Sequence, residues 1–167
     1  MMKLFFRLLA VLALLALAYW GWTVFFPNPQ KVIRQRLEKV AKLASFGANE
    51  GNVSRAISVQ KLGIYFADDI HISVEIPGGE SFTFTHRAEL MQAAMGARGS
   101  AKSVDAKLYD IVVTLGADNQ SATAETTAVA TIGGEKGSLV QKLKFTFKKI
   151  SGSWLITRVD AMRMPGD

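Results

Sequence analysis

Residues 62–76, LGIYFADDIHISVEI, contain the change of pattern on which the fold prediction rests. Before this stretch the apolar residues recur at helical spacing, and Asp68-Asp69 then predicts a turn that ends the helical part. From Ile70 to Ile76 apolar and polar residues alternate, with His71 on the polar side, which is typical of a half-buried strand. The stretch therefore predicts a junction between helices and a sheet.

Two helices are predicted on the N-terminal side of this junction. The first covers Gln30–Phe46, with Asn28 as its cap and Pro29 at its first position, and it has an apolar face and a basic back. Its apolar face comprises Ile33, Leu37, Val40, Ala41 and Ala44. The second begins at Asn52 and runs to about Leu62, and Val53, Ala56 and Ile57 are the apolar residues that suggest it.

Short strands and one more helix are predicted on the C-terminal side. Phe82 and Phe84 belong to a short strand, and a helix follows from Arg87 to about Ala97. Four alternating runs then cover residues 103–115, 120–132, 138–149 and 154–164. Helices followed by an antiparallel meander predict an α+β body.

An uncharged segment precedes this body. Leu8–Phe26 is 19 residues long and would form a helix of about 28 Å, close to the thickness of a bilayer core. Trp20 and Trp22 are typical of an interfacial aromatic belt, so the segment predicts a retained transmembrane anchor. A cleaved signal peptide is the alternative, since Ala16-Leu17-Ala18 offers a small-residue cleavage pattern. Residues 1–27 are thus predicted to be a head and signal-anchor, and residues 28–167 the body.

The basic residues after the segment bear on how the body meets the membrane. Lys31 and Arg34 lie just beyond it, where positive charge binds anionic headgroups, and we expect both at the membrane interface. Counting basic residues on the two sides favours a cytoplasmic body. The short basic head before a single apolar segment instead favours a body outside the cytoplasm, in the periplasm of a bacterium.

Composition excludes several kinds of site. The chain has no cysteine, which rules out disulfides and thiolate metal sites. His71 and Glu75 are about 13 Å apart along a strand, too far to bind one metal, so no metal or cofactor is predicted. Although the net charge is +6, lysines alternate with threonines and no aromatic residues are interleaved, so nucleic acid is not a predicted partner.

The order of elements and two strings identify a resemblance. The strings are residues 62–76, quoted above, and residues 145–159, FTFKKISGSWLITRV. Together with the order helix, helix, strand, strand, helix and four-strand meander, they resemble the NTF2-like superfamily over about residues 28–164. The resemblance implies a cone in which helices pack on a strongly curved, mostly antiparallel sheet.

The same resemblance implies where catalytic groups would lie. In ketosteroid isomerases, which share this fold, a base aspartate and a proton-donating aspartate occupy positions that correspond to Val74 and Leu143. Neither side chain can take or donate a proton, so no catalytic residue is predicted and the protein is not expected to be an enzyme. A divergent lyase or isomerase stays open as an alternative.

The faces of the predicted sheet suggest how the body binds other molecules. Ala122, Ala124, Ala128 and Ala130 share one face, and a small-residue row there either packs closely or leaves an apolar pocket. Tyr65, Val74, Tyr109, Leu143 and Phe145 are the predicted lining of such a pocket, which would hold a lipid or small apolar ligand. The opposite face is threonine and lysine, which does not favour a homodimer. We therefore expect a membrane-anchored, non-catalytic module that binds a protein partner.

Overall fold

A six-stranded sheet and its helices form the body in the computed structural model, which describes residues 11–17, 28–75, 81–134 and 137–162. The elements of this part are α1 (Pro29–Ala44), α2 (Asn52–Gly63), β1 (Phe66–Glu75), β2 (Ser81–His86), α3 (Arg87–Ser100), β3 (Val104–Leu115), β4 (Ser121–Ile132), β5 (Ser138–Ile150) and β6 (Ser153–Met162). Residues 11–17 form a further helical segment. The α+β prediction is confirmed.

Helix α1 forms as its sequence predicts. The Asn28 side chain accepts a hydrogen bond from the Gln30 amide at 3.0 Å, and Pro29 occupies the first turn, where no amide donor is needed. The helix ends at Ser45, whose backbone is extended. Ile33, Leu37 and Val40 are buried in the core, so the predicted apolar face is the one that packs.

Helix α2 buries a different face from the one that its sequence suggests. Its buried residues are Val59, Leu62 and Gly63. Val53, Ala56 and Ile57, the residues that predicted the helix, are exposed. Gly51 rather than Asn52 is the N-cap, without a side-chain hydrogen bond. At the other end, a Cβ on Gly63 would lie 2.8 Å from the sulfur of Met91, so the glycine lets α3 approach closely.

The sheet has the strand order β2-β1-β6-β5-β4-β3. Only β1 and β6 pair in parallel within it, so the prediction of a mostly antiparallel sheet is confirmed. The predicted turn at Asp68-Asp69 is wrong, because both residues lie inside β1 and the chain turns at residues 64–65. Pairing with His86 keeps Asp69 in the sheet, and the register shifts between Asp69 and Ile72.

The β3 edge of the sheet is covered by α1 and the residue after it. The Ser45 hydroxyl accepts from the Ala106 amide at 2.9 Å, and Phe46 and Val104 exchange backbone hydrogen bonds. Further along, Arg34 donates to the carbonyl of Ile111 at 2.7 Å. At these positions, backbone groups that a bare edge would offer to another strand are occupied.

The core lies between α1 and the concave side of the sheet. Phe147, Ile33, Leu37 and Ile156 are its largest fully buried side chains. Ala122 and Ala124 belong to the same cluster. The alternation along β4 and β5 predicted which side chains face the interior, and this prediction is confirmed at the centre of the sheet.

Most of the predicted anchor lies outside the described residues, including Trp20 and Trp22. Residues 11–17 are helical and exposed. Among the residues that the structure describes, none belongs to a helix with the length and hydropathy that crossing a bilayer requires. The division at residue 27 and the transmembrane helix stay predictions.

Candidate functional site

The interior of the cone is where the resemblance places catalytic groups. Val74 on β1 and Leu143 on β5 are partly buried and pack against the core cluster, and Phe145 beside Leu143 is a buried member of it. All three are hydrocarbon side chains that cannot exchange a proton. The two positions that would hold the acids of an isomerase are therefore part of the packing.

Buried polar residues are the next place to look for chemistry. In the part of the chain that the structure describes, these are Arg98 and Thr126, with 2% and 4% of their surface exposed. The Thr126 hydroxyl donates to the Tyr109 carbonyl at 2.7 Å, because a bulge in β3 brings that carbonyl over the neighbouring strand. A hydroxyl that is committed in this way is a structural group.

Arg98, in the last turn of α3, is the centre of a polar network. Its guanidinium donates to the Leu43 carbonyl at the end of α1 and to Glu50 Oε2 at 2.5 Å, and it lies 4.9 Å from the centre of the Phe46 ring. Glu50 in turn accepts from the Ser58 hydroxyl of α2 at 3.2 Å. The network joins the three helices, and each charge in it is compensated.

The imidazoles and the aspartate pair form no catalytic arrangement. His71 is exposed, as its strand parity predicts. His86 Nδ1 lies 3.6 Å from Asp69 Oδ1, but both side chains are largely in solvent, and Asp68 pairs with Arg87. Among the described residues no group of three His, Asp or Glu side chains could hold a metal ion.

One carboxylate near this cluster has a structural role. Glu89 Oε2, in the first turn of α3, accepts from the Thr85 amide at 2.8 Å and from the His86 amide at 3.3 Å. These two backbone hydrogen bonds, that of Thr85 first, lower the pKa of Glu89 because they favour its charged form. The carboxylate fixes the start of the helix.

The two tyrosines of the predicted pocket lie apart. Tyr65 is half-buried and stacks under Arg36, whose guanidinium carbon is 5.6 Å from the ring centre. Tyr109 is exposed and lines an open groove of about 460 Å³ between α1 and β3, together with Glu38 and Lys42. Tyr65 precedes β1 and Tyr109 lies on β3, and three strands of the sheet separate β1 from β3. The pocket that the two tyrosines were predicted to line stays a prediction.

The outer face of the sheet is mixed in charge. The register places Lys144 between Glu125 on β4 and Asp160 on β6. One row further, Lys142 lies between Thr127 and Met162. The alternation along β5 suggested a continuous basic face, and the neighbouring strands, which sequence alone does not order, interrupt it with acidic residues.

The two residues of α1 that were predicted at the membrane interface, Lys31 and Arg34, differ in the contacts that the structure gives them. Lys31 is exposed. Arg34 also has an exposed side chain, but its guanidinium holds the β3 edge through Ile111. Lys39 and Lys42 are exposed on the same helix.

Arg98 and Glu50 were missed by sequence reasoning. A single arginine in the last turn of a helix is normally a solvent-exposed C-terminal charge, and Glu50 lies in a Gly-rich break. No spacing links the two, which are 48 residues apart. Only the packing of α3 against the end of α1 brings them together.

The fold of the body is that of solved NTF2-like proteins. No family model and no curated protein matches the chain. An NTF2-like protein of unknown function from Pseudomonas putida KT2440 matches with a TM-score of 0.58 at 14% identity, over 81% of this chain and 86% of that one. A protein provisionally named a scytalone dehydratase, from Novosphingobium aromaticivorans DSM 12444, gives 0.59 at 14% identity, over 80% and 83%.

A second Novosphingobium aromaticivorans protein, provisionally named an aromatic ring hydroxylase, gives a TM-score of 0.62 at 14% identity, over 81% of this chain and 90% of that one. At these identities the likeness shows the fold alone, because one fold hosts many functions. The NTF2-like cone predicted from the sequence is confirmed, and function has to be argued from the residues of this chain.

Proposed function

We propose that the protein is a non-catalytic NTF2-like module that is anchored in a membrane by Leu8–Phe26 and binds a protein partner through the outer face of its sheet. The body lies outside the cytoplasm and acts as a monomer in this proposal. The observation on which the proposal depends is the interior, where the two polar residues that the described core buries, Arg98 and Thr126, are both committed to internal hydrogen bonds. The buried side-chain polar atom that has no partner among the described residues, Nε of Arg55, belongs to a half-buried residue of α2.

The filled centre of the core supports a binding module over an enzyme or a ligand carrier. Ala124 and Phe147 have no exposed surface, and Ala122 has 2%. A void large enough for a water molecule beside these side chains would leave them accessible surface, so the alanines pack closely there. This packing argues against an apolar ligand at that point of the row.

The outer face of the sheet supports a protein partner. It offers a broad surface on which Lys142, Lys144 and Glu125 stand among threonines, a mixture that suits polar recognition. Exposed aliphatic and aromatic side chains, Val112 and Tyr109, lie on the adjoining strand. Interfaces of non-obligate complexes combine such groups.

Site-specific photocrosslinking in the cell tests the proposed partner. A benzophenone amino acid replaces Thr127 or Lys142 on the outer face, or Gln92 on α3 as the control. We expect a discrete heavier adduct at the two sheet positions and none at Gln92. Lys142→Glu should lower the yield from the Thr127 probe, and the matched charge reversal Lys102→Glu, at an exposed position between α3 and β3, should keep it.

Two outcomes would contradict the proposal. Equal yields of adduct from the sheet and helix positions, or no adduct from the sheet positions, would show that the outer face of the sheet is not the partner-binding surface. A single adduct at twice the 18.2 kDa chain mass would show a homodimer instead.

The non-catalytic part of the proposal has its own test. Thr126→Val removes the one hydroxyl that the described core buries, at nearly constant volume. In a strain that depends on the gene, we expect this variant to restore growth as well as the unaltered chain. Lost complementation by a variant of unchanged abundance would point to chemistry in the interior.

A further inference from the structure

Helix α2 exposes a row of large aliphatic side chains. Val53, Ile57 and Ile64, the last at the residue that follows the helix, are 75%, 45% and 61% exposed. Single exposed aliphatic residues are ordinary on protein surfaces, whereas several that are aligned on one side of a helix indicate a surface that binds something. Exposed Gln60 lies between Ile57 and Ile64 in this row.

The three residues form one stripe. At about 100° per residue, Val53, Ile57 and Ile64 fall within about 40° of one another around the helix axis. The buried residues Val59 and Leu62 lie roughly 140–160° away from the middle of this stripe by the same geometry. The stripe is therefore a second apolar face that points away from the body, and it is separate from the face that packs on α1 and α3.

Charge indicates what the stripe binds. Helix α2 contains Arg55 and Lys61 and no acidic residue. Lys61, four residues after Ile57, is exposed. On the neighbouring helix α1, Lys31, Lys39 and Lys42 are also exposed. Aliphatic side chains beside basic ones are the pattern of helices that lie in the interface of an anionic bilayer.

The position of the predicted anchor points to the same occupant. The uncharged segment ends at Phe26, and Asn28 caps α1 two residues later. A helix that begins there cannot move far from the bilayer surface, and α2 packs on that helix. The exposed stripe thus belongs to the part of the body that the sequence ties to the membrane.

We propose that α2 docks on an anionic bilayer, with Val53, Ile57 and Ile64 inserted among the headgroups and Lys61 paired with lipid phosphates. This inference rests on the membrane location in the proposed function. It adds a second contact that fixes how the body is oriented, since an anchor alone leaves the body free to rotate.

The chain has no cysteine, so one reporter can be placed without background. Gln60→Cys labelled with the fluorophore NBD lies beside the stripe and leaves its three aliphatic side chains in place. The full chain is reconstituted in phosphatidylcholine vesicles with or without the anionic lipid phosphatidylglycerol. We expect the emission to rise and shift to the blue with phosphatidylglycerol only.

Matched variants distinguish docking through the stripe from nonspecific adsorption of the protein to lipid. Val53→Ser with Ile64→Ser should abolish the change at the Gln60 reporter. Val140→Ser with Ile150→Ser, which removes two exposed aliphatic residues of β5, should keep it. Lys61→Gln should lower the ratio of docked to undocked chains about fivefold, because a near-surface basic residue contributes about 1 kcal/mol.

Each contrary result overturns the docking. An unchanged reporter, or the same rise in pure phosphatidylcholine, would show that the stripe makes no contact with anionic lipid. A rise that depends on protein concentration without lipid would assign the stripe to a second copy. Failure of the anchor is a distinct result, because alkaline carbonate would then extract the chain, and docking could still be measured with vesicles added from outside.

Discussion

Helices α1 and α2 are neighbours with opposite arrangements of apolar residues. On α1 the stripe Ile33, Leu37 and Val40 is buried, and the solvent side holds lysines. On α2 the most regular aliphatic stripe, Val53–Ile57–Ile64, is in solvent, and the smaller set Val59 and Leu62 is buried. The difference teaches that an aliphatic stripe at helical spacing can face the core on one helix and solvent on the next, where we propose that it binds a bilayer.

The largest expected effect compares one residue from each stripe. Leu37→Ala should cost about 4 kcal/mol of unfolding free energy, because Leu37 is fully buried and the surrounding core cannot fill the cavity. Ile57→Ala, the matched truncation on α2, should change it by less than about 0.5 kcal/mol. Denaturant unfolding followed by circular dichroism gives both values. Similar losses in the two variants would mean that the α2 stripe also belongs to the core.

The second effect tests what holds α2 against α1. Arg98→Ala should cost about 3 kcal/mol, because it leaves Glu50 without its partner and removes the bond to the end of α1. Adding Glu50→Gln should recover part of this loss, since the uncompensated charge is gone. If the double variant is as unstable as the sum of the two single variants, the network does not act as a pair.

A smaller effect concerns the end of α1. Ser45→Ala should cost about 1 kcal/mol, because the Ala106 amide loses its acceptor. Hydrogen exchange should become faster at Ala106 and stay unchanged in α2. Faster exchange in both α1 and α2 would show that the two helices open as one unit and would weaken the contrast between them.

The smallest expected effect is a pH-dependent change in stability at the start of α3, the other helix against which α2 packs. Because hydrogen bonds lower the pKa of Glu89 from its ordinary value of 4.5, its charge stabilises the fold above that pH. The contribution is lost as the pH falls through the lowered value. Glu89→Gln should therefore be slightly less stable than the unaltered chain at pH 7, and this difference in stability should shrink as the pH falls through the lowered pKa of Glu89. If the difference in stability between the variant and the unaltered chain persists in acid, it arises from the geometry of the side chain and not from the charge of Glu89.

Sequence reasoning was sufficient for the parts of the fold that local pattern decides. The cap at Asn28, the buried stripe of α1 and the four alternating runs of the meander follow from propensity and period. The Asp68-Asp69 turn was wrong because pairing with neighbouring strands overrode a local turn preference.

The orientation of α2 and the buried network required the structure. The spacing of apolar residues in the sequence shows which of them share a face of α2. Only the packing of α1 and α3 against α2 decides which of its faces is covered. The mixed charge of the outer sheet depended in the same way on which strands flank Lys144. Val74 and Leu143, by contrast, could be judged unfit for proton transfer from residue type alone.

The covered β3 edge limits how copies of this protein can join. Arg34, Ser45 and Phe46 occupy one border of the sheet, so among the described strands only β2 presents a border that α1 does not cover. A molecule with two open borders can add strands without end and form fibres. With one, edge-to-edge association stops at two copies, so the covered β3 edge limits polymerisation through the sheet.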